Sequence, residues 1–245
     1  MNTPRFPSPL ALLLVPVGAM LALATSASAQ TFNVVADTFT SGSSQSSNYG
    51  DGVKVNIENG GSGLEKTRVG FFRYDLSSYS GGTISGATFT MFSVSQFGSS
   101  QNFDVYGISE GGTSEGFSEG TGATDGTEFD WSSSGYGYSS GQDITDSANF
   151  ADLVSVGSIT GMGANSSGSL SSSALDAFLN NDVNNIVSFV VVNTNGDGDF
   201  NGFAGKESSS SSGSTLTIVP EPASAALALG LGIFAAVSLV RRRRS

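Results

Sequence analysis

Cysteine and histidine are both absent from this chain of 245 residues. Without cysteine no disulfide can form, so the fold must be stabilised by burial alone. Without histidine there is neither a Ser-His-Asp nor a Cys-His nucleophilic site, and there is no His-ligated zinc site. A pair of carboxylates remains available for glycoside hydrolysis, but no motif singles out two of the 21 acidic residues. The sequence therefore predicts that the protein is not an enzyme.

Basic residues are scarce, and half of the ten lie at the two ends of the chain. Arg5 lies near the N-terminus. The tail ends in four consecutive arginines, Arg241, Arg242, Arg243 and Arg244. Residues 30–219, called the body below, carry five basic and 20 acidic residues, which gives a net charge of −15. Because nucleic-acid binding depends on neutralising phosphates with Lys and Arg, the body is predicted to bind no nucleic acid.

The N-terminal residues have the composition of a secretory signal peptide. An apolar stretch from Leu10 to Ala24 follows Arg5 and precedes small residues that include Ala27 and Ala29. This order of a basic residue, an apolar segment and an Ala-x-Ala site is typical of a cleaved export signal. Residues 1–29 are therefore predicted to be removed on export, with Gln30 as the first residue of the mature chain.

The C-terminal residues contain an apolar segment at 223–240, which is 18 residues long and carries no charge. As a helix it spans about 27 Å at ~1.5 Å per residue, close to the ~30 Å hydrocarbon core of a bilayer. The arginines that follow favour the cytoplasmic side. The sequence therefore predicts a transmembrane helix that holds the exported precursor in the inner membrane.

The tail at 220–245 resembles the PEP-CTERM sorting signal of bacterial exported proteins. Pro220, Glu221 and Pro222 precede the apolar segment, and the arginines close it. The resemblance implies that an exosortase processes the tail and that the mature protein belongs to the cell envelope, the surface or the exopolysaccharide matrix of a biofilm. The alternative is a plain single-span anchor, which would need no Pro-Glu-Pro at its outer end.

Short β-rich segments alternate with Ser/Gly/Asn/Asp turns throughout the body, which is typical of an all-β sandwich. The predicted strands are 32–38, 53–58, 67–75, 83–95, 103–109, 154–160, 186–193 and 216–219. The strand at 186–193 is almost entirely apolar, which indicates that it is covered on both faces. Within 88–94 the apolar residues do not keep a strict period of two, so we expect a β-bulge or a twist there.

One short helix is predicted after Ser173, which is the expected N-cap. Leu175, Phe178 and Leu179 recur at i, i+3 and i+4, so they form a single apolar stripe. We expect the helix to end near Asn180 and to pack this stripe against the core.

Six segments of the body, taken in order, resemble the DNRLRE-type domain of bacterial secreted proteins. They are 36–39, 47–50, 68–78, 84–89, 105–108 and 203–207. The resemblance implies a jelly-roll-like β-sandwich related to carbohydrate-binding modules, some of which bind acidic polysaccharide.

One arginine is predicted to lie in a structural ion pair. Strand alternation places Arg73 and Asp75 on one face of their strand, and Phe72 and Tyr74 on the other. An arginine in a strand among aromatic residues needs a carboxylate partner. Asp75 and Glu207 are the candidates.

A polar segment after the strand at 186–193 copies the beginning of a calcium loop. Its oxygen-bearing side chains belong to Asn193, Asn195, Asp197, Asp199 and Asn201. The twelfth position is Ala204 in place of a bidentate acid, so an EF-hand is incomplete. The two interpretations are a calcium site of another shape and a polar turn rich in residues that tolerate positive φ.

The only tryptophan, Trp131, lies near Tyr136 and Tyr138 in a Ser/Gly-rich segment. Flat aromatic rings beside polar groups are what a glycan-binding surface requires. The alternative is that Trp131 is a partly buried core residue.

The sequence favours an exported, non-enzymatic protein of the cell envelope or extracellular matrix. The alternative is a polysaccharide-binding module. A lyase or hydrolase that uses a carboxylate pair is a third hypothesis.

Overall fold

The computed structural model describes residues 28–60, 67–96, 100–120, 129–136, 151–195, 200–209 and 213–221. One compact unit comprises Ala29–Pro220. The other unit, Met1–Ser28 with Glu221–Ser245, lies almost entirely outside the described residues. In the described ranges no helix is long and apolar enough to cross a membrane, and the helix predicted at 223–240 lies outside them.

The described residues form β-strands with one short α-helix, as the all-β prediction requires. The strands are β1 (Gln30–Asn33), β2 (Ala36–Ser41), β3 (Lys54–Glu58), β4 (Arg68–Asp75), β5 (Ile84–Gln96), β6 (Gln101–Ile108), β7 (Leu153–Met162), β8 (Ser167–Leu170), β9 (Ile186–Asn193), β10 (Phe200–Ala204) and β11 (Thr215–Pro220). The helix, α1, is Ser173–Asn180. The recorded strand pairings are all antiparallel.

The strands form one curled sheet in the order β1-β11-β5-β10-β3-β4-β9-β6-β7, with β2 on β4 and β8 on β5. The long strand β5 links the two layers because it pairs with β11 up to Thr90 and with β10 from Ser93 onward. The sheet folds back on itself, so Phe89 of β5 lies 4.9 Å from Phe189 of β9 between ring centroids. The architecture is therefore sandwich-like.

Strand β4 separates two hydrophobic cores, and its side chains alternate between its two faces as predicted. Phe72 and Tyr74 belong to the core between the layers. Phe71 points to the opposite face and joins a second core. Phe117 and Phe129, from the connection between β6 and β7, cover that face, and the ring of Phe129 lies 4.8 Å from that of Phe71. The described parts of this connection, which contain Phe117 and Phe129, are therefore packed into the fold.

Three local predictions can be compared with the structure. Strand β9 lies between β4 and β6 and is buried from Val187 to Asn193, so its coverage on both faces is confirmed. The bulge in β5 is also confirmed, because Phe203 pairs with Ser93 while the preceding Gly202 pairs with Ser95. The helix begins one residue earlier than predicted.

The sequence interpretation missed two strands and joined two others. Strands β8 and β10 each have a glycine at a buried position, Gly168 and Gly202, which hides their alternation. The strand predicted at 32–38 is wrong, since β1 pairs with β11 and β2 pairs with β4. At the break, the Val34 N–H donates to the Ser214 carbonyl and the Val35 N–H donates to the Arg73 carbonyl. The chain changes layers between these two residues.

Candidate functional site

A pocket with a volume of about 410 Å³ lies beside helix α1, the end of β6 and the beginning of β9. Its apolar lining consists of Ile108, Val154, Ala174, Ala177, Phe178 and Val187. Its polar lining consists of Ser109, Glu110, Glu115, Asn181 and Asp182. We call it the acidic pocket, because the charged residues in its lining are all carboxylates.

Helix α1 supplies much of the apolar wall and is fixed at its beginning by Ser172. The Ser172 hydroxyl oxygen accepts a hydrogen bond from the Leu175 N–H at 2.9 Å, and its O–H donates to the Val156 carbonyl at 2.5 Å. Phe178 then lies against the backbone of Gly107, where an added Cβ would be 2.4 Å from the ring. A side chain at position 107 would therefore displace the apolar wall.

The carboxylate oxygens of Glu110, Glu115 and Asp182 lie within 4.8 Å of one another. Asn184 links two of them, because its amide donates to Glu110 Oε1 at 2.8 Å and to Glu115 Oε2 at 3.1 Å. The Gly111 N–H also donates to Glu115 Oε2 at 2.9 Å. These hydrogen bonds hold like charges close together at one end of the pocket.

Asp182 carries an acceptor that the fold leaves unused. Its Oδ2 accepts from the Asn185 N–H at 3.0 Å, whereas its Oδ1 is buried and has no hydrogen-bond partner. Burial raises the pKa of this carboxyl, and the negative charges of Glu110 and Glu115 also raise it. The end of the pocket is therefore an electronegative site with a free acceptor.

A second group of carboxylates, the Lys206 cluster, joins Asp37, Glu119 and Glu207 within 4.8 Å. The Lys206 ammonium is paired with Glu119 and lies 3.1 Å from Glu207, and its backbone N–H donates to Asp37 Oδ2 at 2.6 Å. Asp37 is 1% exposed, and burial raises its pKa to about 7. Both groups of carboxylates offer the oxygen ligands that calcium prefers. In the Lys206 cluster, however, the ammonium group already neutralises part of the negative charge.

For Arg73 the described residues show hydrogen bonds to backbone oxygens and no close ion pair with Asp75 or Glu207, its two predicted partners. The Arg73 guanidinium donates to the carbonyl oxygens of Phe117 and of Gly116, the latter at 3.2 Å. It also lies 5.6 Å from the centroid of the Phe117 ring. The connection between β6 and β7 covers this face of β4, so its backbone oxygens take the place of a carboxylate.

Two of the three aromatic residues predicted to bind a glycan, Trp131 and Tyr136, are buried. Trp131 is 4% exposed and Tyr136 is 1% exposed, and both belong to the second core. The Tyr136 O–H donates to the Thr113 carbonyl at 2.7 Å and to Asp152 Oδ2 at 3.0 Å. Because buried rings cannot stack on a sugar, the alternative of a core role describes these two residues. Tyr138 lies outside the described residues.

The first residues of the predicted calcium loop have protein partners. Asn193 Oδ1 accepts from the Asn195 N–H at 2.7 Å, and the Asn193 amide donates to Gln101 Oε1 at 3.0 Å. Asn195 Oδ1 accepts from the Asn102 N–H at 3.1 Å. Asn201 is buried in β10, whereas Asp197 and Asp199 lie outside the described residues. These contacts are typical of a polar turn, and calcium binding stays a prediction.

The described residues include only part of the predicted signal-peptide cleavage site and only part of the Pro-Glu-Pro segment. Ala29 is exposed, and Gln30 is the first residue of β1. Pro220 is the last residue of β11, and Glu221 is exposed. Ala27, Pro222 and the four terminal arginines lie outside the described residues.

Sequence reasoning missed the acidic pocket because its carboxylates come from distant positions. Glu110 and Glu115 follow β6, whereas Asp182 follows α1, about 70 residues later. The available signal was the position of acidic residues directly after a strand and a helix. That signal is weak in a chain with 21 acidic residues.

Comparison with known proteins gives one family match. Residues 28–116 match the model of carbohydrate-binding module family 96. The match runs from the residues before β1 to the loop after β6, so it includes Glu110 and Glu115 but not α1 or Asp182. No curated protein matches the chain. The body therefore contains a region like a carbohydrate-binding module, which supports a carbohydrate-binding role.

Proposed function

We propose that the body is a polysaccharide-binding module and that the acidic pocket accommodates a sugar unit. The observation that carries the proposal is the match of residues 28–116 to carbohydrate-binding module family 96. This match includes two of the three carboxylates at one end of the pocket.

The lining of the pocket is suited to a sugar ring. A pyranose presents apolar C–H faces and hydroxyl groups at its rim, and ligand pockets commonly combine apolar walls with a few placed polar groups. Val154, Ala174 and Ala177 offer an exposed apolar wall, while Glu110 and Asn181 offer hydrogen-bonding groups. The volume of about 410 Å³ lies within the range of ~300–1,000 Å³ for small-molecule sites.

A glycan array tests the proposal directly. The full chain, purified in a detergent without a sugar headgroup, is applied to an array of neutral, amino and acidic polysaccharide fragments. We expect binding to at least one class, and weaker binding for the Val154→Ala variant, because Val154 is an exposed residue of the pocket lining. Binding to no class would contradict the proposal.

We further propose that the protein is exported and sorted through residues 220–245. The signal-peptide pattern at 1–29 and the order of Pro-Glu-Pro, apolar segment and arginines support this proposal. An exosortase is then the processing partner, and the mature protein reaches the cell surface or the extracellular matrix. Cell fractionation, with the C-terminal residue identified by mass spectrometry, tests it.

The absence of catalysis stays a prediction. The carboxylates of the acidic pocket are close together, and a retaining glycosidase places its pair ~5–5.5 Å apart. However, Glu110 and Glu115 accept hydrogen bonds from Asn184 instead of facing each other across a substrate. Release of reducing sugars from the polysaccharides that bind would show activity.

A further inference from the structure

The outer face of the neighbouring strands β1, β11, β5 and β8 carries hydroxyl and amide side chains in two rows that cross the strands. The first row consists of Thr31, Thr217, Thr88 and Ser171, and the second consists of Asn33, Thr215, Thr90 and Ser169. Phe89 and Leu216, which alternate with these residues along β5 and β11, belong to the core on the opposite face. We call this surface the hydroxyl face.

Hydroxyl groups on adjacent strands of this face are hydrogen-bonded in pairs. The O···O distances are 2.9 Å for Thr31–Thr217, 2.7 Å for Thr88–Ser171 and 2.9 Å for Thr90–Ser169. Each of the paired side chains is half-buried or exposed. Because a pair uses only one of its two O–H groups, the other O–H and the remaining lone pairs are available to a ligand.

The hydroxyl face differs from the rest of the body in its charge. None of the residues 30–33, 84–92, 167–171 and 215–220 is charged, although the body carries a net charge of −15. A charged ligand therefore gains no ion pair with these strands, and the acidic residues elsewhere in the body repel an anionic one. The charge distribution favours a neutral ligand.

An aromatic residue lies at one end of the hydroxyl rows. Phe92 follows Thr90 by two residues, so it lies on the same face of β5, and it pairs with Ser167 of β8. Its side chain is half-buried and belongs to neither hydrophobic core. An aromatic ring beside hydroxyl groups offers a sugar ring both an apolar contact and hydrogen bonds.

We propose that the hydroxyl face binds the surface of a neutral polysaccharide. This inference rests on the polysaccharide-binding function proposed above and adds a second contact surface, which shares no residue with the lining of the acidic pocket. Sugar hydroxyls both donate and accept hydrogen bonds, as the threonine and serine hydroxyls do. Neighbouring strands are ~4.8 Å apart, so rows that cross four strands extend over about 14 Å. This length exceeds a single sugar ring and suits an extended polymer.

The match to carbohydrate-binding module family 96 includes two of the four strands. Strands β1 and β5 lie within residues 28–116, and they supply Thr31, Thr88, Thr90 and Phe92. Strands β8 and β11 lie outside the match and complete the rows from later parts of the chain. The hydroxyl face is therefore built around the region that resembles a carbohydrate-binding module.

Cosedimentation with insoluble neutral polysaccharides tests the inference. The full chain, in a detergent without a sugar headgroup, is mixed with microcrystalline cellulose, chitin or insoluble mannan and then centrifuged. We expect at least one of these polymers to retain the protein. Added salt should leave the bound fraction unchanged, because the hydroxyl face has no charge that salt could screen.

Variants of β5 locate the contact surface. Phe92→Ala removes the apolar contact and should weaken binding about tenfold. Thr88→Val combined with Thr90→Val removes two hydroxyls and keeps the β-branched shape, so it should weaken binding several-fold. Thr160→Val is the matched control, because Thr160 is an exposed strand residue of β7, and it should bind as the native chain does. Circular dichroism checks that each variant folds.

The outcomes separate this inference from the proposed function. If the glycan array shows binding but no insoluble polymer retains the chain, the inference is wrong while the polysaccharide-binding function stands. If neither the array nor the polymers show binding, both proposals fail. Retention that added salt abolishes, or that the β5 variants leave intact, overturns the inference. A second copy of the chain is the other occupant that an uncharged face could accept. A dimer that Phe92→Ala dissociates in analytical ultracentrifugation would assign the face to self-association and overturn the inference as well.

Discussion

Gly107 is the residue that allows the apolar wall of the acidic pocket to form. A Cβ at this position would lie 2.4 Å from the ring of Phe178, so Gly107→Ala forces the ring or helix α1 to move. We expect a loss of about 1–3 kcal/mol in the free energy of unfolding, as for other overpacked sites, together with weaker glycan binding. Urea unfolding measures the first effect.

Gly86→Ala is the matched control for this prediction. Gly86 also lies in a strand, but the nearest atom to its added Cβ is 3.8 Å away, which is an ordinary contact. Its variant should change the free energy of unfolding by less than about 0.5 kcal/mol. If both substitutions changed the free energy of unfolding equally, the position of the Phe178 ring would not depend on the missing side chain at Gly107.

Asp37 should make the stability of the protein depend on pH. Its pKa is raised by burial from 3.8 to about 7, so the folded state holds a proton that the unfolded chain releases at lower pH. The resulting stabilisation is complete below pH 3.8 and is lost as the pH rises through about 7. At ~1.4 kcal/mol per pKa unit, the change amounts to about 4 kcal/mol. Burial raises the pKa values of Glu119 and Asp182 in the same direction.

The measurement is the free energy of unfolding between pH 4 and pH 8 for the native chain and for Asp37→Asn. The asparagine keeps an oxygen that accepts from the Lys206 N–H but does not titrate. We expect a much smaller decline in stability with rising pH for this variant. A native chain whose stability increases from pH 5 to pH 7 would contradict the raised pKa.

At the scale of elements, the periodicity of apolar residues predicted which face of a single strand or helix is buried. The apolar run of β9, the alternation of β4 and the stripe of α1 each reflect which face is buried, and each was found as predicted. The hydrophobic pattern could not reveal β8, because one of its buried residues is Gly168. Glycine is required there because the side chains of Met162 and Ile159 occupy the space that a Cβ would need. Nor could it place Glu115 beside Asp182, since that proximity results from packing between distant segments.

The N-cap of α1 is Ser172 in the structure, one residue before the N-cap that the sequence predicts. Ser172 accepts from the Leu175 N–H and donates to Val156, whereas Ser173, the predicted cap, is the first helical residue. We expect Ser172→Ala to lower the free energy of unfolding by about 1 kcal/mol, and Ser173→Ala to have little effect. Thermal unfolding of the two variants checks this, and the reverse order would restore the predicted boundary.

Calcium binding by the segment 193–201 can be tested by thermal unfolding in excess calcium and in chelator. If the loop binds calcium, calcium should raise the melting temperature by mass action, and Asp197→Ala should abolish the increase. Glu119→Gln is the companion variant, because it removes a carboxylate of the Lys206 cluster. An increase that survives Asp197→Ala but not Glu119→Gln would assign the ion to that cluster. Identical melting curves in calcium and chelator would leave only the polar turn.

At the scale of the whole molecule, the first and last strands of the compact unit are neighbours. Strand β1 pairs with β11, and Gln30 lies opposite Ile218. The predicted cleavage site before Gln30 and Pro220 therefore lie at the same end of these two neighbouring strands. A body with a net charge of −15 repels other copies of itself, as expected if the proposed processing releases it from its precursor.

Processing of the tail is the last prediction. Pro220 closes β11 and pairs with Ile84, so a protease that needs an extended, accessible segment should cut after Pro220 and not within the strand. The mature chain should then lack the four terminal arginines.

Glu221 is exposed directly after the strand, and Glu221→Ala should stop processing without shortening the apolar segment, so that the uncleaved precursor accumulates in the membrane fraction. Ser224→Ala is the control and should mature normally. Mass spectrometry of the secreted and membrane fractions identifies the C-terminal residue of each variant. If Glu221→Ala matures and leaves the membrane as the native chain does, the sorting hypothesis is wrong and the tail must be reconsidered as a plain anchor.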